Sequence, residues 1–155
     1  MMEWDLRHLR TAIAVSRSAR EHGNEPYGAL LVGERGDVLL QAENTEITAR
    51  DATGHAETNL VRIACARFDP ATLAQCTIYA STEPCAMCAG AIYWGHIGRV
   101  VFGLGQETLP AVLGDAADRL ALSCHAVLAR GTRPIEVVGP LLEKEARAVV
   151  EGGPP

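Results

Sequence analysis

The amino-acid sequence predicts a three-layer α/β/α domain built on a mixed, mostly five-stranded sheet. Five short apolar runs are typical of strands, and segments with apolar residues at helical spacing alternate with them. Strands that are followed by helices imply crossover connections, which place helices on both faces of a sheet. The 155 residues, of which 48% are hydrophobic, suit one compact core. We therefore expect a single domain at 1–150 and a disordered tail at 151–155.

A first helix is predicted from Asp5. Leu6, Leu9 and Ile13 recur at the spacing of one helical face, and the glycine and proline of the segment EHGNEP stop the helix. This segment is therefore an amphipathic helix.

A hairpin and a second helix follow. The apolar runs 29–32 and 38–40 flank the turn signal ERGD, a pattern typical of two antiparallel strands. Beyond a polar stretch, Leu60 and Ile63 mark one face of a helix that starts near His55 and ends before Asp69.

The second half of the chain predicts three more strands and two more helices. Pro84 suits a first helical turn and Gly95 suits a helix end, so a short helix connects two of the strands. The predicted elements are strands at 76–82, 99–104 and 135–140 and helices at 84–95 and 141–150.

Composition argues against two classes of function. The net charge of −5, the isoelectric point near 5.5 and the scattered basic residues disfavour a nucleic-acid surface. The first residues contain no apolar core of a secretory signal, and no later window holds the roughly 18 apolar residues of a membrane span. We expect a soluble, cytoplasmic protein without membrane partners. Its five cysteines, an odd count, favour reduced thiols or metal thiolates over disulfides.

A zinc site is predicted by two cysteines and one histidine. Cys85 and Cys88 lie three residues apart in a predicted first helical turn, so their sulfurs share a face beside backbone N–H groups that favour thiolates. A catalytic zinc takes three protein ligands and leaves a fourth position to water. His55, at the start of another helix, is the best third candidate.

Glu57 is the candidate catalytic base. It follows His55 by two residues, and at a first helical turn both side chains reach over the helix end. A carboxylate there takes a proton from the water that zinc acidifies and returns it to a leaving group. We therefore expect hydrolysis of a polarised C–N bond.

The segments HAE and PCAMC together resemble the signature of the zinc-dependent cytidine and deoxycytidylate deaminase superfamily. PYGALLV, Asn44, GHAE, YASTEPCAMCAGAIYW and GRVVFG follow in the order of its branch that acts on guanine, cytosine and tRNA adenosine. The resemblance implies the cytidine-deaminase-like fold and a single zinc-dependent deaminase domain. It also implies Zn²⁺ bound by His55, Cys85 and Cys88, with Glu57 shuttling protons while ammonia leaves.

The resemblance implies roles for flanking residues as well. Asn44, at the end of the second strand, would hydrogen-bond the heterocycle, and the Ala56 backbone N–H would face the ring oxygen or the attacking oxygen. Tyr27 and Trp94 would wall the pocket. Glu83 would bind the departing amino group through its backbone.

Other interpretations stay open at this point. The cysteine pair alone also suits a redox role or a structural zinc site, whose fourth ligand would come from Cys76, Cys124, His96 or His125. Asn59 is explained equally well by a bond to a loop carbonyl and by a substrate contact. Asp115, Cys124 and His125 are candidates for closing the pocket, in this chain or over a neighbouring subunit, although ordinary loop and core positions explain each of them better.

The chain end bears on the substrate. Relatives that act on tRNA carry a basic final helix, whereas GPLLEKEARAVVEGGPP is rich in glutamate and lacks attraction for phosphate. We therefore expect a free nucleobase or small amino-heterocycle, such as guanine, cytosine or a triazine-like ring. The alternatives are tRNA adenosine-to-inosine deamination and, in another class, an inactive zinc-containing binding domain. The resemblance further implies a homodimer through the helices that carry the zinc ligands.

Overall fold

A five-stranded sheet forms the centre of the protein in a computed structural model, which describes residues 1–152; the last three residues of the expected tail lie outside the described part. The strands are β1 (Gly28–Val32), β2 (Val38–Glu43), β3 (Thr77–Thr82), β4 (Arg99–Leu104) and β5 (Glu136–Val138). The helices are α1 (Asp5–Glu21), α2 (Ala56–Arg67), α3 (Pro70–Leu73), α4 (Ala86–Trp94), α5 (Leu109–Leu113), α6 (Cys124–Leu128) and α7 (Glu143–Val150).

The sheet is mixed, with strand order β2-β1-β3-β4-β5. β1 pairs antiparallel with β2 and β3, whereas β4 runs parallel to β3 and β5. Alternate strand residues point to opposite faces, so the sheet contributes to two apolar cores. One core joins the sheet to α2, α4 and α6, and the other joins it to α1 and α7. The predicted three-layer class is thereby confirmed.

Several element boundaries differ from those predicted. α4 begins at Ala86 with Cys85 as its N-cap, so Pro84 precedes the helix instead of opening it. The last helix begins at Glu143, two residues later than predicted, and β5 covers only three residues. The helices α3, α5 and α6 were not predicted, because four or five residues are too few to show an apolar period. No helix within residues 1–152 has the length and apolar character needed to cross a membrane.

A buried ion pair fastens the start of α1 to the sheet. Asp5 is fully buried and accepts two hydrogen bonds of 2.8 Å from the guanidinium of Arg99 on β4. It also accepts bonds from the Tyr79 hydroxyl (2.6 Å) and the Met2 backbone N–H (2.7 Å). Burial by itself raises the pKa of Asp5, but these hydrogen bonds outweigh it and lower the pKa to about 2. The carboxylate is therefore stabilised in its ionised form.

Replacing Asp5 with asparagine is expected to lower the free energy of unfolding by about 3–5 kcal/mol, because Arg99 loses its buried partner and keeps only an exposed carboxylate. Glu136→Gln is the matched control, since Glu136 binds the same guanidinium but is 59% exposed, and its loss should cost less than about 1 kcal/mol. Denaturant titration measures both. Because the folded pKa of Asp5 is depressed, its contribution is present above about pH 4 and is lost as the pH falls toward 2. Equal unfolding midpoints for the two variants would contradict this account.

Candidate active site

Three metal-ligating side chains converge where α2 and α4 begin. His55 and Cys85 are the N-caps of the two helices, and their extended backbone directs both side chains beyond the helix ends. Cys88 lies one turn further along α4. The Sγ atoms of Cys85 and Cys88 each lie 3.5 Å from His55 Nδ1. A tetrahedral zinc with ordinary bond lengths separates its sulfur and nitrogen ligands by about 3.6 Å, so this trio fits the ion.

The geometry does not support a fourth protein ligand. Among residues 1–152, the groups close enough to share a metal comprise His55, Cys85 and Cys88 and no other histidine, cysteine or carboxylate. Of the alternatives considered for a structural site, Cys76 instead donates its thiol to the Thr72 carbonyl (3.3 Å). Three protein ligands and one free position are the arrangement of catalytic zinc sites.

The two ligand thiols differ in acidity in the metal-free protein. Hydrogen bonding with Cys88, followed by that with His55, lowers the pKa of Cys85 to about 4. The same bond with Cys85, together with burial, raises the pKa of Cys88. Zinc binds both sulfurs as thiolates, so metal uptake releases protons and becomes tighter as the pH rises.

Glu57 lies beside this cluster in the first turn of α2. The side chain is 95% shielded from solvent and lines the cavity described below. Burial raises the pKa of Glu57 to about 7, although hydrogen bonding with Cys88 opposes the shift. A carboxyl group shielded from solvent beside the ligand cluster is placed to exchange protons with a group bound there.

Glu46 adds a carboxylate that the sequence did not reveal. Its Oε1 lies 3.3 Å from Nε2 of His55, the ring nitrogen on the far side from the two sulfurs. A carboxylate at this place fixes the ring so that Nδ1 is free to bind the metal. The only signal in the sequence was its position two residues after Asn44, which by itself suggests a loop residue.

A cavity of about 530 Å³ opens over the cluster. His55, Glu57 and Cys85 lie on one side of it, and the segment from α5 to Leu120 roofs the other side. This volume is in the usual range for a small-molecule site.

Two of the residues expected to contact substrate line this cavity. Tyr27 does so with its phenol kept neutral, because burial, followed by the carboxylates of Glu25, Glu57 and Glu46, raises its pKa to about 12. Glu83 also lines the cavity. Ala56, the first residue of α2, is buried and lies between His55 and Glu57 in the chain. Its backbone N–H has no hydrogen-bond partner within the helix, because it belongs to the first turn.

The other expected contacts lie elsewhere in the single chain. Asn44 is buried, and its amide binds Glu46. Asn59 donates to the Glu43 carbonyl (3.0 Å) and to the Thr45 hydroxyl (2.9 Å), which is the loop-holding role. Trp94 is 77% exposed and does not line the cavity.

The candidates for closing the pocket also lie off the cavity wall. Asp115 is exposed, next to the roofing residue Gly114. Cys124 is buried in the core, and His125 borders a separate surface depression near Arg133. The positions of these three residues are therefore those of ordinary loop and core residues.

The sequence model described as the cytidine and deoxycytidylate deaminase zinc-binding region matches residues 2–104, which include the three metal ligands and Glu57. The chain belongs to this deaminase family. Zinc binding by the family agrees with the fit of His55, Cys85 and Cys88 to the ion. The protein is accordingly a zinc-dependent hydrolytic deaminase, as the two motifs predicted.

The relatives of this deaminase carry names with different substrates. A probable cytosine deaminase of Schizosaccharomyces pombe is 43% identical over 149 residues, which cover 94% of this chain and 90% of that protein. Guanine deaminase of Bacillus subtilis is 38% identical over 89 residues, covering 57% of this chain and 56% of that enzyme. A tRNA-specific adenosine deaminase of Haemophilus influenzae is 36% identical over 110 residues, covering 71% of this chain and 64% of that protein.

Solved structures show the same deaminase fold. A guanine deaminase from Nitrosomonas europaea superposes with a TM-score of 0.78 at 24% identity, covering 94% of this chain and 81% of its own. A tRNA wobble-position deaminase superposes with a TM-score of 0.73 at 27% identity, covering 93% of this chain and 99% of its own. The predicted cytidine-deaminase-like fold is confirmed.

In this deaminase, the side chain of Glu83 holds both ends of the roof. Its Oε2 accepts a bond from the Gln106 backbone N–H (2.7 Å), and its Oε1 accepts one from the Cys124 backbone N–H (3.0 Å). The family resemblance implied a backbone role for Glu83. This side-chain role was missed, because it depends on two segments that are distant in sequence.

Proposed function

We propose that the protein hydrolytically removes the exocyclic amino group of a free nucleobase or a small amino-heterocycle and releases ammonia. The observation that carries this proposal is the charge of the cavity wall. The cavity wall carries several carboxyl groups but one guanidinium, that of Arg119. The carboxyl groups are those of Glu25, Glu46, Glu57, Glu83 and Asp118. Such a wall repels phosphate groups and favours ligands that offer N–H donors.

The same charge pattern disfavours the tRNA alternative. A tRNA enzyme gains affinity by pairing several phosphates with Lys or Arg side chains near its pocket. Arg119 supplies one such side chain here, and the final helix α7 places acidic residues in its first turn. A small uncharged ring meets no such penalty. The S. pombe relative, named as a probable cytosine deaminase, makes cytosine the first base to test.

The proposed reaction adds water across the amine-bearing ring carbon. Zinc, when bound, supplies a Lewis acid that lowers the pKa of a water molecule to about 7. Glu57 takes a proton from the attacking water and delivers it to the adjacent ring nitrogen. It then carries the second proton to the departing amine, so that the C–N bond breaks, ammonia leaves and a carbonyl remains.

The residues around Glu57 would orient the ring. We assign the oxygen-binding role to the Ala56 N–H, the stacking wall to Tyr27 and contact with the departing amine to the backbone of Glu83. Four other residues are left out of this set. The amides of Asn44 and Asn59 are held by neighbouring loop residues, and the side chains of Trp94 and Asp115 are exposed to solvent away from the cavity wall. The expected homodimer stays a prediction, which light scattering at micromolar concentration would test.

A substrate panel is expected to show ammonia release from at least one free base, with kcat/KM at least about tenfold above that for any nucleoside or tRNA substrate. The panel contains cytosine, guanine, isocytosine, aminotriazines and the matching nucleosides. Inosine formation in an anticodon stem-loop with a wobble adenosine is measured in parallel. The zinc-depleted protein serves as the control for metal dependence. Efficient conversion of the stem-loop together with inert bases would overturn the proposal.

A further inference from the structure

Glu46 stands between Asn44 and the substrate cavity. Its backbone N–H donates to Asn44 Oδ1 (3.0 Å), and its Oε1 accepts from Asn44 Nδ2 (2.7 Å). Both ends of the Asn44 amide are therefore engaged. Asn44 is fully buried, whereas Glu46 is a residue of the cavity wall. Glu46 therefore presents a carboxylate to the cavity at this place.

The Glu46 carboxylate also lies close to the reacting end of the cavity. Its Oε1 is 3.3 Å from His55 Nε2, and the Nδ1 atom of the same ring is the metal-ligating atom. The imidazole ring of His55 thus lies between Glu46 and the two cysteine sulfurs. Glu46 and Glu57 line the same cavity, so a ring whose amine-bearing carbon lies beside Glu57 is able to present another edge to Glu46.

We propose that Glu46 determines substrate specificity by selecting heterocycles that present an N–H donor, such as a second amino group, at the edge facing it. This inference rests on the proposed function. An ionised carboxylate accepts hydrogen bonds and donates none, so an N–H at that edge gains a charge-assisted bond. A carbonyl oxygen at the same place is unfavourable, because both it and the Glu46 carboxylate are hydrogen-bond acceptors and neither supplies a hydrogen. The contacts with Asn44 and His55 keep the carboxylate from turning away.

Two pairs of compounds test the inference: cytosine with 2,4-diaminopyrimidine, and guanine with 2,6-diaminopurine. Within each pair one exocyclic carbonyl oxygen is replaced by an amino group and a ring N–H becomes an acceptor nitrogen, while a common amine remains available to leave. The zinc-loaded wild-type protein is expected to favour the diamino member in at least one pair by about tenfold or more in kcat/KM. Glu46→Gln should reduce that ratio by at least about tenfold, because the amide also donates to a carbonyl.

A matched control and a second measurement isolate the effect. Glu43→Gln removes a carboxylate three residues earlier, which binds His22 and does not line the cavity, and should leave the ratio unchanged. Zinc content, determined by metal analysis, should stay equal in wild type and Glu46→Gln. An unchanged ratio in Glu46→Gln would overturn the inference. So would an equal loss on both members of a pair, with or without loss of zinc, since Glu46 would then act only through His55. A wild-type protein inert toward all free bases would overturn the proposed function, and the inference with it.

Discussion

Replacing Glu57 with glutamine is expected to lower kcat by at least about 10²- to 10⁴-fold while the protein keeps its zinc and its fold. The amide preserves the shape of the buried side chain but cannot carry a proton. One residue serves several proton transfers in the proposed reaction, so the loss falls toward the upper end of this range or beyond it. Ammonia release under saturating substrate measures kcat, and metal analysis measures zinc.

The control for this variant is Glu43→Gln, the same substitution at a side chain that binds His22 outside the cavity, which should leave kcat unchanged. The assignment of Glu57 as the proton carrier would be falsified if Glu57→Gln turned over at a rate near that of wild type. A variant without zinc would be uninformative about the base, so the metal content of the assayed sample has to equal that of wild type.

Replacing Cys88 with serine is expected to lower zinc affinity by at least about 10²-fold and to destabilise the fold. Cys88 is fully buried, and its sulfur is one of the three ligand atoms. A hydroxyl is a poor substitute for a thiolate, and part of the zinc-binding energy is folding energy. Competition with a chromogenic chelator measures the affinity, and thermal unfolding with and without zinc measures the stability.

Cys76→Ser separates loss of the metal from loss of a buried sulfur. Cys76 is also buried, but its thiol binds the Thr72 carbonyl and takes no part in the ligand cluster. This control should lose some stability and keep full zinc. Full zinc occupancy in Cys88→Ser would refute the ligand set.

The metal ligands could be predicted from the sequence because each belongs to a short segment whose local structure fixes its direction. His55 and Cys85 both precede helices, and Cys88 follows Cys85 by one turn. Strand positions were also predictable, since apolar runs are retained in buried strands. Information of this kind is local, so a single segment carries it.

The contacts that shape the cavity could not be predicted in this way. Glu46 and Asn44 bind each other through a loop conformation that neither side chain specifies alone. Trp94 lies on α4, whose composition is apolar all round, so the sequence does not indicate which face packs inward. Glu83 meets partners 23 and 41 residues away. Each of these features depends on tertiary structure rather than on local pattern.

The two hydrogen bonds of Glu83 fasten both flanks of the cavity roof to one side chain. Gln106 and Cys124 bound the roofing segment, and both backbone N–H groups end on one carboxylate. Glu83 itself is two residues before Cys85, a zinc ligand. Movement of either flank of the roof would therefore require a hydrogen bond to Glu83 to break. One carboxylate thus ties the roof of the cavity to the segment that carries the zinc ligand Cys85.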